Sequence, residues 1–217
     1  MRRQETFNFY SHLAGMVLAV VGMVVLLVHA ASSPSLMLTA LVYGLSVVFL
    51  FSASSLYHAF KTQENELSFW RKLDRLAIFA MIAGTYTPVC YFFLDDAWRV
   101  PMIALQWGLV ALGVFTQIFF PRAPRMLYAV IYLIMGWLLV LPIRQVLDAM
   151  TVLQVTLLFA GGAAFTLGAL FYAFKRPLLK PGVFSFHELF HVMVLLGAGS
   201  HYALVYDAFS NFQAVNG

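Results

Sequence analysis

The stretch FSFHELFHVMVLLGAGSHYALVY, residues 184–206, is long and apolar enough to cross a bilayer, yet three histidines and a glutamate interrupt it. A helix spans the hydrocarbon core with about 20 apolar residues, because each residue adds about 1.5 Å of length. His187 and His191 lie four residues apart, so their imidazoles project from the same helical face. The segment therefore predicts a transmembrane helix that carries two metal-ligating side chains near its start.

The composition of the whole chain is that of a multi-pass membrane protein. Of its 217 residues, 62% are hydrophobic and 10% are charged, whereas a soluble domain is about half apolar and about a quarter charged. The net charge of +4 comes from short basic clusters between apolar runs, which disfavours nucleic acid as a partner. The single cysteine, Cys90, excludes a disulfide framework and a thiolate metal site within the chain.

Apolar segments separated by short polar connectors predict an all-α fold, a single domain over residues 1–217 with seven transmembrane helices. The expected spans are about 8–30, 36–60, 74–94, 100–119, 126–144, 151–174 and 184–206. The first span is longer than the apolar region of a signal peptide, which is about 7–15 residues, so we expect it to remain in the protein. Pro88 and Pro142 fall inside spans and are expected to kink them.

Lysine and arginine are distributed unequally between alternate connectors, which predicts the orientation. With seven spans, eleven of the 13 basic residues fall on one side of the membrane, and only Arg99 and Arg144 fall on the other. Basic residues concentrate in cytoplasmic connectors. We therefore expect the N-terminus in the cytoplasm and the C-terminus outside.

This topology brings polar residues from distant segments to one level near the cytoplasmic surface. His58 ends the second span with Ser54 one turn deeper, Asp74 begins the third span, and His187 and His191 begin the seventh. Three imidazoles form a natural site for Zn²⁺, and catalytic zinc typically keeps three protein ligands and one open position. We expect metal ligands at His58, His187 and His191. Asp74 is then a catalytic residue that binds the attacking water or a direct fourth ligand, and Ser54 orients a ligand or a substrate carbonyl. Three more polar residues reach this level without an assigned role: Glu5, Asn8 and His12.

The remaining polar residues within or beside the spans are expected to be structural. His29 is read as an interfacial residue, and His201, about 21 Å from His187 along a helix, as a hydrogen-bonding residue near the outer surface. Glu188 points away from the pair of histidines, which favours packing or a salt bridge over a ligand role. Arg75 is expected to anchor lipid headgroups.

Four stretches of the chain resemble the hemolysin III proteins of bacteria, which group with the progestin and adipoQ receptors and, more distantly, with the alkaline ceramidases. These stretches are ETFNFYSHLAG at 5–15, SASSLYH at 52–58, LDRLAIFAMIAGTYTPV at 73–89 and HELFHVMVLLGAGSHY at 187–202. The resemblance covers essentially the whole chain. It implies a seven-helix bundle with an intracellular N-terminus, located in the bacterial inner membrane, and a role in membrane lipid homeostasis.

Carried over residue by residue, the resemblance implies zinc ligands at His58, His187 and His191. Ser54 and Asp74 match the other two core polar positions of the family pattern. The chain departs from that pattern after the second connector, where members often have Leu-Asp-His and this chain has Leu-Asp-Arg at 73–75. The departure is expected to alter how the rim of the site meets lipid headgroups.

Two functions remain open at this stage. The first is a zinc-dependent hydrolase acting on a membrane lipid, with an amide favoured over an ester by the resemblance to ceramidases. The second is a non-enzymatic regulator or receptor-like protein in which zinc is structural, since three histidines beside an aspartate are compatible with either. A pore-forming toxin is disfavoured because the chain is apolar throughout. A retinal protein is excluded because all four lysines lie in connectors or at their edges.

Overall fold

The computed structural model describes residues 3–63, 66–180 and 184–216, and this part of the chain is helical apart from its connectors and one isolated β-bridge. Its helices are α1 (Arg3–Ala30), α2 (Pro34–Phe60), α3 (Phe69–Phe93), α4 (Asp96–Phe119), α5 (Arg125–Trp137), α6 (Ile143–Ala149), α7 (Val152–Phe174) and α8 (Phe186–Asn216). The all-α prediction is therefore confirmed. Helix α1 begins before its predicted span and α8 ends after its predicted span, because the polar residues at those ends continue the helix beyond the apolar segment.

Six of these helices are individually long and apolar enough to cross a membrane. They are α1, α2, α3, α4, α7 and α8. A seventh crossing requires two pieces, Arg125–Val140 and Ile143–Ala149, which meet at an angle of 61°. The predicted span over 126–144 is therefore bent near its C-terminal part.

The break after α5 follows from Pro142 and is stabilised by Tyr86 of α3. Proline has no backbone N–H group, so a regular helix cannot continue through it without losing a hydrogen bond. The chain passes through a 3₁₀ turn at Leu138–Val140. There the Tyr86 hydroxyl accepts the Leu139 N–H and donates to the Gly136 carbonyl, both at 2.9 Å. The predicted kink at Pro142 is confirmed, and it takes the form of a break between two helices that meet at 61°.

Helices begin where the sequence supplies capping side chains. The Ser68 hydroxyl accepts the N–H of Arg71 at the start of α3. Thr151 and Gln154 form a reciprocal capping box at the start of α7. Each cap satisfies donors that the first helical turn leaves unpaired, a need that is greatest where water is scarce.

The main apolar core lies between α1, α2, α3 and α8. Its largest buried side chains include Leu26, Tyr43, Phe51, Met81 and Phe209. Gly84 of α3 lies directly against Ser46 of α2, where a β-carbon on Gly84 would overlap the serine side chain. Small residues of this kind let membrane helices approach closely.

The outer surface is strongly apolar, as expected for a protein surrounded by lipid. On α1, five aliphatic side chains are each more than half exposed: Val17, Leu18, Val21, Val24 and Val28. Such a stripe would be unfavourable in water but is compatible with lipid tails. The chain is a multi-pass membrane protein.

The starts of α1, α3, α5 and α8 and the ends of α2, α4 and α7 lie at one end of the bundle, here called the histidine end. Hydrogen bonds join the start of α1 to the end of α2, and Arg125 at the start of α5 donates to the Ala173 carbonyl near the end of α7. This arrangement is the same for either orientation in the membrane. The cytoplasmic position of the histidine end therefore stays a prediction.

Candidate metal centre

Three imidazoles from two helices meet at the histidine end. His58 belongs to the last turn of α2, and His187 and His191 belong to the first two turns of α8. One nitrogen from each ring lies within 4.8 Å of the other two, and the Nε2 atoms of His58 and His187 are 3.4 Å apart. Two ligands of a tetrahedral zinc ion are separated by about 3.3 Å when the Zn–N bonds are about 2.0–2.1 Å. The cluster is buried and can hold a metal ion, so the predicted convergence of these residues is present in the fold.

Glu5 of α1 fixes the orientation of the His58 ring. The Glu5 carboxylate accepts a hydrogen bond from His58 Nδ1 at 2.5 Å and another from Lys61 Nζ at 2.6 Å. A carboxylate can only accept, so the proton of His58 is on Nδ1 and its Nε2 lone pair faces the cluster. Carboxylates that bind the second nitrogen of a ligating histidine orient the ring and raise its basicity.

Sequence reasoning brought Glu5 to the correct level but assigned it no role. Glu5 and His58 are separated by 53 residues, and no helical spacing links them. The pair is visible only once α1 and α2 are packed together.

Glu188 holds the beginning of α8 in place. One carboxylate oxygen accepts the N–H of Ser185 at 2.7 Å, and the other accepts from the Asn8 side chain of α1 at 3.3 Å. Glu188 is 1% exposed. It therefore caps the helix that carries His187 and His191 and ties that helix to α1, in agreement with the expected structural role.

His12 of α1 adds a fourth imidazole against the cluster. Its ring stacks on that of His191 with centroids 3.8 Å apart, and it contacts the edge of the Phe51 ring. His12 is 2% exposed, and neither of its ring nitrogens hydrogen-bonds to another residue in the part of the chain that is described. The stack covers one side of His191.

Asp74 and Ser54 lie beside the three histidines. Both line the same cavity, and the Asp74 carboxylate interacts with the Ser54 hydroxyl and the His58 imidazole. Within the described ranges, the group of ligand atoms that lie within 4.8 Å of one another contains only histidine nitrogens. Asp74 is therefore a neighbour of the cluster rather than a part of it in this conformation.

The cluster opens into a cavity of about 530 Å³ that extends from the histidine end towards the middle of the bundle. Basic residues line it at the histidine end: Lys61, Arg71, Arg75, Arg125 and Lys175. Apolar residues line it deeper in the bundle, among them Met81, Ile82, Leu133, Trp137 and Phe165. Cavities of about 300–1,000 Å³ with mostly apolar walls and a few polar groups are typical of small-molecule sites.

Comparison with known proteins identifies the family. The family model described as "Haemolysin-III related" matches residues 1–202. The chain belongs to the Haemolysin-III related family. The four stretches that carried the sequence resemblance lie within the matched residues. They contribute Glu5, His58, Asp74, His187 and His191 to the site.

Individual relatives of this haemolysin-III related protein occur in bacteria and plants. "Hemolysin-3" of Bacillus cereus is 30% identical over 198 residues, which cover 90% of this chain and 87% of that protein. "Hemolysin-3 homolog" of Bacillus subtilis (strain 168) is 27% identical over 205 residues, covering 94% and 93%. "Heptahelical transmembrane protein ADIPOR2" of Oryza sativa subsp. japonica is 33% identical over 177 residues, covering 75% and 76%.

Arg75 departs from the sequence prediction. It was expected to reach lipid headgroups, but it is only 9% exposed, lines the cavity, and places its guanidinium 4.6 Å from the centre of the Tyr128 ring. The reason is the packing of α3 against α5, where the Tyr132 hydroxyl donates to the Arg75 carbonyl at 2.9 Å. This face of α3 is covered by protein and directs the side chain inwards.

The two histidines outside the centre make local contacts. His201 Nε2 lies 3.2 Å from the Leu158 carbonyl of α7, which is the hydrogen bond expected of it. His29 Nδ1 lies 3.0 Å from the Val25 carbonyl in the last turns of α1. Both are therefore remote from the cluster at the histidine end.

Proposed function

We propose that this haemolysin-III related protein is a zinc-dependent hydrolase of the bacterial inner membrane. It acts on a lipid amide or ester near the cytoplasmic leaflet and contributes to membrane lipid homeostasis. The observation that carries the proposal is the cluster of three buried histidines, braced by Glu5, at the polar end of an apolar cavity. Imidazole ligands without thiolates suit zinc.

Each polar residue around the cluster has a part in the proposed reaction. His58, His187 and His191 hold the ion, and Glu5 keeps the His58 ring in its ligating orientation. Bound zinc supplies Lewis-acid activation of water and of the substrate carbonyl. Asp74 accepts the proton of the attacking water, and Ser54 holds the Asp74 carboxylate in place.

The bond changes follow from this arrangement. The water oxygen forms a bond to the carbonyl carbon, and the carbon–nitrogen or carbon–oxygen bond breaks. The proton held by Asp74 passes to the departing amine or alcohol, and the acyl product leaves as a carboxylic acid.

The shape and polarity of the cavity favour a substrate with an acyl chain. Apolar side chains deeper in the bundle accommodate the chain, and the basic residues at the histidine end face the polar headgroup. The excess of lysine and arginine at this end supports its placement at the cytoplasmic surface. An amide is the preferred bond because of the resemblance to ceramidases.

A structural role for zinc is the second candidate. It is favoured by the way the cluster ties three helices together, since Glu5 of α1 holds His58 of α2, which meets His187 of α8. His12 also covers one side of His191. In this alternative the ion stabilises the bundle of a non-enzymatic regulator or receptor-like protein.

Fatty-acid release distinguishes the two candidates. The purified protein is incubated with a ceramide and with an ester lipid of the same acyl chain, and its zinc content is measured in parallel. The hydrolase proposal expects turnover by the wild type and its loss in Asp74→Asn with zinc retained. Lys72→Gln, which changes charge at the histidine end outside the cavity wall, is the control. Absence of turnover from a zinc-loaded wild type on either lipid would favour the structural role.

A further inference from the structure

Arg75 is a buried cation that lies near the charge of Asp74 but forms no salt bridge with a carboxylate among the described residues. Its side chain is on α3 beside Asp74 and is 9% exposed. Among the residues that the structure describes, no carboxylate or carbonyl oxygen hydrogen-bonds to its guanidinium, whose observed contact is the face of the Tyr128 ring. A buried guanidinium is costly without paired acceptors, and an ionisable group within a membrane span marks a functional site.

The Tyr128 side chain also carries a polar group without a hydrogen-bond partner in the described part of the chain. Its hydroxyl is buried and has no hydrogen-bond partner within the described ranges. Arg75 and Tyr128 both line the cavity, so two sets of unused donors border the same space. Protein interiors rarely leave such groups unsatisfied unless a ligand or an ion completes them.

Two other arginines line this end of the cavity but have backbone partners. Arg71 donates to the Glu66 carbonyl at 2.9 Å, and Arg125 donates to the Ala173 carbonyl at 3.1 Å. Arg125 also lies over the Tyr172 ring. These residues add positive potential to the end of the cavity where Arg75 offers its donors.

We propose that Arg75 and the Tyr128 hydroxyl bind the phosphate group of a lipid whose acyl chain occupies the apolar part of the cavity. The planar guanidinium donates two parallel hydrogen bonds to phosphate oxygens, and the surrounding arginines complement the charge. This site adds headgroup recognition to the proposed function. It depends on that function only for the claim that the bound phospholipid is the substrate of the hydrolase. The binding step itself does not require zinc.

Binding of single-chain ligands tests the site. Dodecyl phosphate, dodecanol and inorganic phosphate are titrated into the full chain in dodecyl maltoside, in phosphate-free buffer. We expect dodecyl phosphate to bind at least about tenfold more weakly to Arg75→Gln than to the wild type, because charged hydrogen bonds are lost. Dodecanol should bind both proteins equally, and inorganic phosphate should bind more weakly than dodecyl phosphate.

Further variants separate recognition from folding. Arg122→Gln removes the same charge from an exposed position between α4 and α5 and should leave the affinity for dodecyl phosphate unchanged. Arg75→Lys keeps the charge without the planar fork, so it should bind with intermediate affinity. Tyr128→Phe removes only the hydroxyl and should weaken binding without altering thermal unfolding of the free protein.

The proposal is overturned if Arg75→Gln binds dodecyl phosphate as tightly as the wild type does. It is also overturned if dodecanol affinity falls equally, since Arg75 would then shape the cavity rather than bind an anion. Equal affinities for inorganic and dodecyl phosphate would overturn the assignment to a lipid. Because binding is measured rather than turnover, failure of the proposed hydrolysis does not affect the result.

Discussion

The Nε2 atoms of His58 and His187 lie 3.4 Å apart although 129 residues separate the two histidines in the chain. The approach requires α2 to end and α8 to begin at the same level of the bundle. Glu5, Asn8 and Glu188 secure that level through hydrogen bonds between α1 and each of the other two helices. The site is therefore built by the ends of helices rather than by a local sequence motif.

Removing the negative charge of Glu5 should weaken metal binding. Glu5→Gln leaves His58 without a carboxylate acceptor for its Nδ1 proton, and loss of such a partner typically lowers metal affinity by about 10–100-fold. Competition with a zinc chelator in detergent measures the change. Glu66→Gln, in the connector between α2 and α3, is the control. Equal affinity in Glu5→Gln and the wild type would show that Glu5 does not support the site.

Glu188 and Asn8 should be coupled in stability. Glu188→Ala removes the acceptor for the Ser185 N–H and for the Asn8 amide, which should reduce the free energy of unfolding by about 1–3 kcal/mol. Asn8→Ala removes only the second of these contacts.

A double-mutant cycle tests this coupling by thermal or denaturant unfolding in detergent. Because both variants disrupt the same hydrogen bond, their combined effect should be smaller than the total of the single effects. Strict additivity would indicate that Asn8 and Glu188 do not interact.

The close contact of α2 and α3 depends on Gly84. Gly84→Ala places a β-carbon into the space of the Ser46 side chain, so it should destabilise the protein by about 1–3 kcal/mol. Gly199→Ala is the matched control, since its β-carbon would meet no atom within 4 Å. Ser46→Gly should restore stability to Gly84→Ala. A Gly84→Ala protein as stable as the control would contradict this packing.

Hydropathy predicted the helices well because the requirement for a long apolar segment acts on each helix separately. The spacing of His187 and His191 likewise determines that they share a helical face. Those two local rules account for the confirmed helical fold and for two of the three histidines in the cluster.

The parts that sequence reasoning missed depend on how helices pack. The sequence predicted a kink at Pro142, but it did not show that Tyr86 of α3 would stabilise the redirected chain there. An arginine at a span end normally indicates a headgroup anchor, but α5 covers that face of α3 and directs Arg75 into the cavity. The role of Glu5 likewise depends on a contact that no local pattern encodes.

Orientation in the membrane is tested by labelling introduced cysteines in intact cells. Asp148→Cys is exposed on α6, and Arg122→Cys is exposed at the histidine end, while the native Cys90 is buried. An impermeant maleimide should label residue 148 from outside and residue 122 only after the cells are opened. The reverse pattern would place the histidine end outside.

The central claim is that His58, His187 and His191 hold one zinc ion, and the metal content of purified protein tests it most directly. Protein prepared without chelators is analysed by elemental mass spectrometry as wild type, His187→Ala and His29→Ala. We expect about one zinc per chain in the wild type and in His29→Ala, and a large loss in His187→Ala. A folded wild type without zinc, or a His187→Ala variant that retains it fully, would contradict the account.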